Sequence, residues 1–338
     1  MSLKDQSSKA SPKRKQGAGT EGSILTRLIA RHYLGKPELD RFLAIKYPTL
    51  GSMWAGARNE LAFRLGRSHG HRLTTLNLET TNRCNLACVM CPVNNGMTRE
   101  KRDLEFEAFR QIVDASPNLE LILMFQWGEA LLVADFFERV RYAADRGIRV
   151  MVTSNGTTLT REVCERILDC GLERITFSVD GRPETHEKIR GFPYEKFRAN
   201  VERLVEMRDQ AEHALQIDVN MTIWQENEAE ASDVRTEWEQ LVDRVQFIPR
   251  FRDEIRSKPC RELWRGAMVV LSDGRAVPCC RDFEGELALG QVADQSVEEI
   301  WNGEIMQDLR RRHLAKDFPP LCARCGEYDT SVVSPRFS

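Results

Sequence analysis

Beyond residue 71 the chain settles into an alternation of two hydrophobic periods. Short runs rich in β-branched and apolar residues fall at 73–78, 119–125, 149–153, 174–179, 215–223 and 244–248. Between them, at 106–114, 134–146, 161–170, 197–210 and 229–241, apolar residues recur three or four positions apart, the pattern of helices that bury one face. Strands alternating with helices predict an α/β fold with a parallel sheet. In such a sheet the residues that follow each strand gather at one end, where ligands bind, so candidate chemistry is sought at the strand ends.

The earlier segments differ. Residues 1–22 are rich in Ser, Lys, Gly and Gln, with a basic knot at Lys13, Arg14 and Lys15 and no apolar period; that composition predicts a disordered basic tail. Ile24, Leu25, Leu28 and Ile29 recur at helical spacing with Arg27 and Arg31 opposite, and a second helical stretch runs over 53–65. Residues 23–70 therefore read as an N-terminal helical extension packed beside the main domain, although a basic amphipathic helix also suits a membrane surface or a partner. With 338 residues, 41% hydrophobic, 30% charged and a net charge of −2, the chain can build a large domain plus smaller pieces and carries no electrostatic footprint for nucleic acid. No apolar stretch approaches the ~20 residues of a membrane helix, and the N-terminus lacks the order of a signal peptide, so the expected compartment is the cytoplasm. There, ten cysteines point to metal or redox chemistry rather than disulfides.

Three of those cysteines follow the first predicted strand. The run Glu79-Thr80-Thr81-Asn82-Arg83-Cys84-Asn85-Leu86-Ala87-Cys88-Val89-Met90-Cys91-Pro92 spaces them as C-x3-C-x2-C. Thiolates are soft ligands suited to iron–sulfur clusters, and a [4Fe–4S] cube has one more iron than this loop has thiols, leaving that iron open to an exogenous ligand. Zinc is the alternative, but structural zinc closes its tetrahedron with a nearby fourth Cys or His, which this loop lacks.

With this motif placed directly after the first strand of a β/α repeat, the chain resembles the radical S-adenosylmethionine (SAM) superfamily over about residues 73–249. The resemblance implies a partial (β/α)6 TIM-like barrel across 71–250, with Cys84, Cys88 and Cys91 on a [4Fe–4S] cluster whose open iron takes the amino and carboxylate groups of SAM. It further implies reductive cleavage of SAM to a 5′-deoxyadenosyl radical that removes a substrate hydrogen, and an electron donor such as flavodoxin or ferredoxin. The strand-end segment Phe125-Gln126-Trp127-Gly128-Glu129-Ala130-Leu131 is similar to the family's Gly-Gly-Glu-Pro segment. Trp127 replaces its first glycine and Ala130 its proline, while Gly128 and Glu129 remain, and a carboxylate there suits the SAM ammonium. Thr153-Ser154-Asn155-Gly156 and Ser178-Val179-Asp180-Gly181 are similar to family segments near the ribose and methionine of SAM, although Asn-Gly and Asp-Gly also serve turns. Arg190 resembles a family arginine that reaches the SAM carboxylate; its other reading is a surface helix charge. Asn220, on the fifth strand, has two faces open to it, of which one is the barrel mouth. No catalytic acid or base stands out.

Past the barrel, Cys260, Gly274 and Cys279 form C-x13-G-x4-C, followed after Gly290, Trp301 and Asn302 by Cys322-Ala323-Arg324-Cys325. This pattern resembles the auxiliary-cluster extension called SPASM, and most nearly its shortened twitch form, because no further cysteine follows Cys325. The resemblance implies one auxiliary [4Fe–4S] cluster on Cys260, Cys279, Cys322 and Cys325, within a module spanning 251–338. Cys280 competes with Cys279, and a four-cysteine zinc site is the alternative for the module. Cys164 and Cys170, six apart in a helical pattern, are expected to be buried apolar residues.

A cluster fully ligated by protein favours electron transfer, and hence oxidation: a carbon radical becomes a carbonyl or double bond by losing one electron. The architecture is similar to that of 2-deoxy-scyllo-inosamine dehydrogenases and anaerobic sulfatase-maturing enzymes. The expected function is a SAM-dependent oxidation or rearrangement of a small polar metabolite such as a sugar, cyclitol or nucleotide derivative. Peptide modification is the second reading, and a non-catalytic metal-cluster scaffold the third. Arg250, Arg252 and Asp253, past the sixth strand, suit an anionic or hydroxylated substrate or are solvated linker charges.

Overall fold

The computed structural model describes residues 49–249 and 254–326. The tail expected over 1–22, the helical segment expected from residue 23, and Arg250, Arg252 and Asp253 lie outside the described residues. Thr49 starts the first described helix, α1 (Leu50–Arg64), with a capping box: its hydroxyl accepts from the Ser52 N–H at 3.0 Å and the Ser52 hydroxyl accepts from the Thr49 N–H at 3.1 Å. Then come β1 (Thr75–Leu78), α2 (Phe106–Asp114), β2 (Leu121–Met124), α3 (Phe136–Ala144), β3 (Arg149–Ser154), α4 (Arg161–Asp169), β4 (Arg174–Ser178), α5 (Pro183–Arg190), α6 (Tyr194–Gln210), β5 (Gln216–Ile223), α7 (Ala231–Trp238) and β6 (Arg244–Pro249). These match the expected strands and helices with ends shifted by a few residues. The helix α5 is an addition; Pro183 in its first turn and the left-handed Gly191 at its end are the signals that mark it.

Strands β1 to β6 are all parallel, each paired with the next in sequence. One face carries Leu76, Leu78, Ile122, Val150, Val152, Ile175, Phe177, Ile217 and Val219, all essentially buried in the hydrophobic core. The registers Thr153↔Thr176, Thr176↔Asp218, Ser178↔Asn220 and Asn220↔Gln246 put a polar row on the other, inner face. A parallel sheet buried on both faces reads as continuous apolar runs; this one alternates because its inner face lines a lumen. Near the strand starts that lumen is closed by Asp218, which accepts from Arg174 at 2.7 Å, Arg244 at 3.1 Å and Gln246 at 3.1 Å, which leaves the opposite, C-terminal end for ligands.

The C-terminal part comprises α8 (Glu262–Arg265), β7 (Val269–Val270), β8 (Arg275–Val277), β9 (Gly290–Gln291), α9 (Val297–Trp301), α10 (Glu304–Leu314) and α11 (Pro320–Ala323). It does not continue from β6. The chain returns to the far edge, where β7 pairs parallel with β1 and β8 and β9 follow antiparallel, giving one sheet of order β6-β5-β4-β3-β2-β1-β7-β8-β9. The returning segment thereby stands directly beside the strand that leads into the C-x3-C-x2-C loop. Among the described residues no helix is long and apolar enough to cross a membrane.

Candidate metal centres

The loop after β1 is pinned at its base and again inside. Thr81 bridges to Asp103, Arg83 pairs with Asp103, and Asn82 holds the Glu100 carbonyl (2.8 Å) and the Arg102 N–H (2.7 Å). Within the loop a single amide, Asn95 Nδ2, donates to the carbonyls of Cys88 (3.1 Å), Val89 (3.2 Å) and Cys91 (3.0 Å). The Leu86 N–H donates to Cys84 Sγ at 3.5 Å and Asn155 Nδ2 approaches the same sulfur at 3.8 Å. Burial pushes all three thiols up, Cys88 to about 11; Cys88 and Cys91 are further raised by thiols of the set and Cys84 by Glu129, while Arg190 pulls all three back down. All three are free thiols. Three soft donors with their backbone fixed and a guanidinium beside them fit an iron–sulfur cluster, whose ligands bind as thiolates. Among the described residues no three Cys, His, Asp or Glu side chains converge as a single-ion site.

Four strand-end residues expected at this site lie around the loop. Gly128, at φ 94°, runs so close to it that a Cβ would stand 2.3 Å from the Thr81 carbonyl oxygen, and the next N–H, of Glu129, donates to the Arg83 carbonyl at 2.8 Å. The Glu129 carboxylate is buried and accepts from Ser154 Oγ (2.9 Å), the Asn155 N–H (2.7 Å) and the Leu131 N–H (3.2 Å). Burial raises its pKa against those donors and the nearby Arg190. Ser154 thus acts through Glu129, and Asn155 joins the end of β3 to Asn85 at 2.9 Å as well as to Cys84.

Arg190 is no surface charge. It ends α5, its side chain only 12% exposed, and donates to Asp180 at 2.7 Å. The Ile189 carbonyl beside it accepts from the Val89 N–H of the cysteine loop at 3.0 Å, so α5 delivers the cation to the thiols. Its partner Asp180, fully buried with Oδ1 lacking a partner, went unassigned in the sequence; the Asp-Gly that marks a turn also supplied the carboxylate. Ser178 stands apart from this network: it is half-buried on the inner face, paired in register with Asn220, which answers the choice of face for Asn220.

The second cysteine group also assembles. Cys260, Cys279, Cys322 and Cys325, separated by up to 65 residues of sequence (325 − 260), lie near enough that Cys260 and Cys325 both raise the Cys322 thiol, to about 12, and Cys260 and Cys322 both raise Cys279. Arg256 lies among them, donating to the Cys322 carbonyl at 3.2 Å, with Cys260 and Cys325 also beside it. Cys280 packs on Val269, Leu271 and Val277; burial pushes it to about 11, and Cys325 is also near it. The four-thiol donor set beside a guanidinium fits a second cluster. Cys164 and Cys170 are both buried in the core, as expected.

Sequence reasoning assigned no role to Glu79 and Arg99, which join the two groups. Glu79, immediately after β1, accepts from Arg99 at 2.8 Å and from the Ser272 N–H (3.0 Å) and hydroxyl (2.8 Å) past β7; burial raises its pKa and Arg99 opposes that. A cavity of about 380 Å³ lined by His71, Arg72, Asn118 and Trp301 opens at the start of β1, away from both cysteine groups, and belongs to neither.

Residues 78–220 match the family model for the radical SAM superfamily, and residues 260–326 that for an iron–sulfur cluster-binding SPASM domain. Among curated proteins the chain is similar to the AdoMet-dependent heme synthase of Methanosarcina barkeri (35% identity over 130 residues, 37% of this chain and 37% of the relative). It is also similar to the mycofactocin maturase MftC of Mycolicibacterium smegmatis (30% over 118 residues, 34% of this chain and 30% of the relative). The matched part is therefore less than half of either relative's length. Among solved structures the fold is similar to BtrN in complex with AdoMet and 2-DOIA (TM-score 0.54, 18% identity, 75% of this chain and 93% of that one). It is likewise similar to Streptococcus suis SuiB bound to precursor peptide SuiA (TM-score 0.58, 11% identity, 81% and 74%).

Proposed function

Because the chain belongs to the radical SAM superfamily and carries a SPASM iron–sulfur domain at its C-terminal end, we propose that it binds a [4Fe–4S] cluster on Cys84, Cys88 and Cys91, cleaves SAM there, and oxidises a small polar metabolite with the help of a second [4Fe–4S] cluster on Cys260, Cys279, Cys322 and Cys325. When bound, the first group supplies a 5′-deoxyadenosyl radical and the second an electron acceptor. The chain's own residues hold, orient and shield. Asn95 fixes the loop carbonyls, the Gly128 backbone abuts the loop, and Glu129, held by Ser154 and Asn155, offers negative charge to the SAM ammonium. Arg190, set by Asp180, offers a guanidinium to the SAM carboxylate. Ser178 and Asn220 present polar groups to the lumen. The observation that carries the reading is the convergence of Cys84, Glu129 and Asn155, from the ends of β1, β2 and β3, and of Arg190, from the end of α5, on one loop.

The polar inner row of Thr176, Ser178, Asn220 and Gln246 supports a hydroxylated or nitrogenous small substrate. A peptide substrate is the second reading, favoured by the similarity to a mycofactocin maturase. The proposed domain limits are 23–70 for the helical extension, 71–250 for the core and 251–338 for the auxiliary module; the proposed reductant is a flavodoxin or ferredoxin, and the proposed compartment the cytoplasm.

The test is anaerobic reconstitution with iron and sulfide, reduction with dithionite, and quantification of 5′-deoxyadenosine from SAM, alongside a Cys84/Cys88/Cys91 triple alanine variant. Product from the parent protein alone is expected. Product from neither, with well-formed clusters by spectroscopy, would sink the enzyme reading and leave the cluster scaffold.

A further inference from the structure

The end of β2 touches both cysteine segments, and it reaches the second through the residue that departs from the family's Gly-Gly-Glu-Pro pattern. Gln126 Nε2 and Trp127 Nε1 donate to one and the same acceptor, the carbonyl oxygen of Cys280, at 3.1 and 3.2 Å. The Trp127 ring meets Phe283 edge to face at 5.9 Å, so the indole is held at both its N–H and its ring. Two residues on, the same segment presses against the first cysteine loop through Gly128 and the Glu129 N–H. A glycine at position 127 would have no donor to offer Cys280.

The partner loop, residues 279–285, is otherwise tied to itself and to the barrel's other loops. The Asp282 N–H donates to the Cys279 carbonyl at 3.2 Å, Glu284 accepts from the Thr98 N–H (2.6 Å) and hydroxyl (2.9 Å), and the Phe283 carbonyl accepts from Arg99. The Glu284 and Phe283 ties fasten the loop's far end, and the Asp282 N–H closes a turn on the Cys279 carbonyl. The Gln126 and Trp127 bonds tie the cysteine pair to the end of β2, at the carbonyl one residue from Cys279.

We propose that Gln126 and Trp127 are a two-donor clamp on the Cys280 carbonyl that positions the Cys279 ligand, making residues 126–129 the element that sets the second cluster's place relative to the SAM site. With the Cys280 carbonyl held towards the end of β2, the Cys280 side chain packs on Val269, Leu271 and Val277; Cys279 has Cys260 and Cys322 as neighbours, and Cys280 has Cys325. A carbonyl that accepts two N–H donors beside a ligand also makes the surroundings of that ligand more positive, which raises a cluster's reduction potential. Both residues are positioning residues and touch no reacting atom. The inference rests on the reading of Cys279 as a cluster ligand, and its first test does not depend on it.

That test is hydrogen exchange on the cluster-free protein, comparing the parent with Gln126→Met/Trp127→Phe, which keeps side-chain length at 126 and an aromatic ring at 127 while deleting both donors. Amides of 280–287 are expected to exchange on the order of tenfold faster, the factor that two lost hydrogen bonds of typical net strength support, while β4 and α6 stay unchanged. Trp127→Phe alone should give a smaller change of the same sign. In the reconstituted protein, EPR-monitored titration should show the second cluster's midpoint moved to more negative potential, with the first cluster's spectrum in the presence of SAM retained. Unchanged exchange at 280–287 in the double variant overturns the clamp. Faster exchange with no second cluster in the parent protein would instead overturn the reading of the module.

Discussion

Replacing Gly128 by alanine tests how tightly the backbone after β2 is pressed on the first cysteine loop. At φ 94° an L-residue is strained, a cost of about 1–2 kcal/mol. The new Cβ would also sit 2.3 Å from the Thr81 carbonyl oxygen and 2.9 Å from that of Arg83; both are backbone atoms that no rotamer change can move. Forcing a methyl into such a site costs about 1–3 kcal/mol more, and the Glu129 bond to Arg83, at 2.8 Å, is worth about 1 kcal/mol if broken. The sum is roughly 3–6 kcal/mol. Gly147 supplies the control: its φ is 75°, but no atom lies within 4 Å of its Cβ position, so its alanine variant bears backbone strain alone, about 1–2 kcal/mol. Urea unfolding of the cluster-free proteins should rank parent, Gly147→Ala and Gly128→Ala in falling stability, and reconstituted Gly128→Ala should lose iron and 5′-deoxyadenosine formation where Gly147→Ala keeps both. A Gly128→Ala protein as stable as Gly147→Ala and with full iron would refute the close approach.

Arg190→Gln leaves Asp180 buried without its ion-pair partner, and removing one member of such a pair costs about 3–5 kcal/mol; thermal unfolding should show the loss, with Arg190→Lys recovering part of it and SAM binding weakened in both. His186 is buried and accepts from the Asp180 N–H at 3.3 Å; burial, assisted by Arg190, pushes its pKa down to about 3. The unfolded chain therefore binds a proton between about pH 6.5 and 3 that the folded one refuses, so the stability this residue contributes is present above pH 6.5 and lost as pH falls, by up to about 1.4 kcal/mol per pH unit. Urea midpoints of the cluster-free protein at pH 7 and 5 should reveal that slope, and His186→Asn should flatten it; equal slopes in both proteins would discard the assignment. Finally, Cys279→Ala should fall from about eight irons per chain to about four, while Cys280→Ala keeps the full complement; the reverse outcome would exchange the two cysteines' roles.

What the sequence determined by itself is local. Hydrophobic period separated strands from helices because burial on one face repeats at 2 or 3.6 residues, and it recovered β1 to β6 and the helices between them except α5. The thiol spacing at 84–91 marked a candidate donor loop without any fold, since all three thiols sit on eight consecutive residues. The motif drew attention to Gly128 and Glu129, and cysteine spacing to the two halves of the C-terminal pattern, which the structure brings near one another.

What only the tertiary structure decided is long-range pairing and the fate of each charge. That β7 returns to pair with β1 depends on contacts some 190 residues apart (Asn77 with Val269), which no local period encodes. Arg190 and a solvated helix charge look alike in sequence; burial beside Asp180 and the thiols separates them. Glu79 and Arg99 carry no motif, because their meaning is a meeting with Ser272 and Phe283 that exists only once the sheet has closed on its far edge. Trp127, visible in the sequence as a broken pattern, acquires a role only when the Cys280 carbonyl is brought within 3.2 Å of it: side-chain chemistry is written in the chain, and the partner it acts on is supplied by folding.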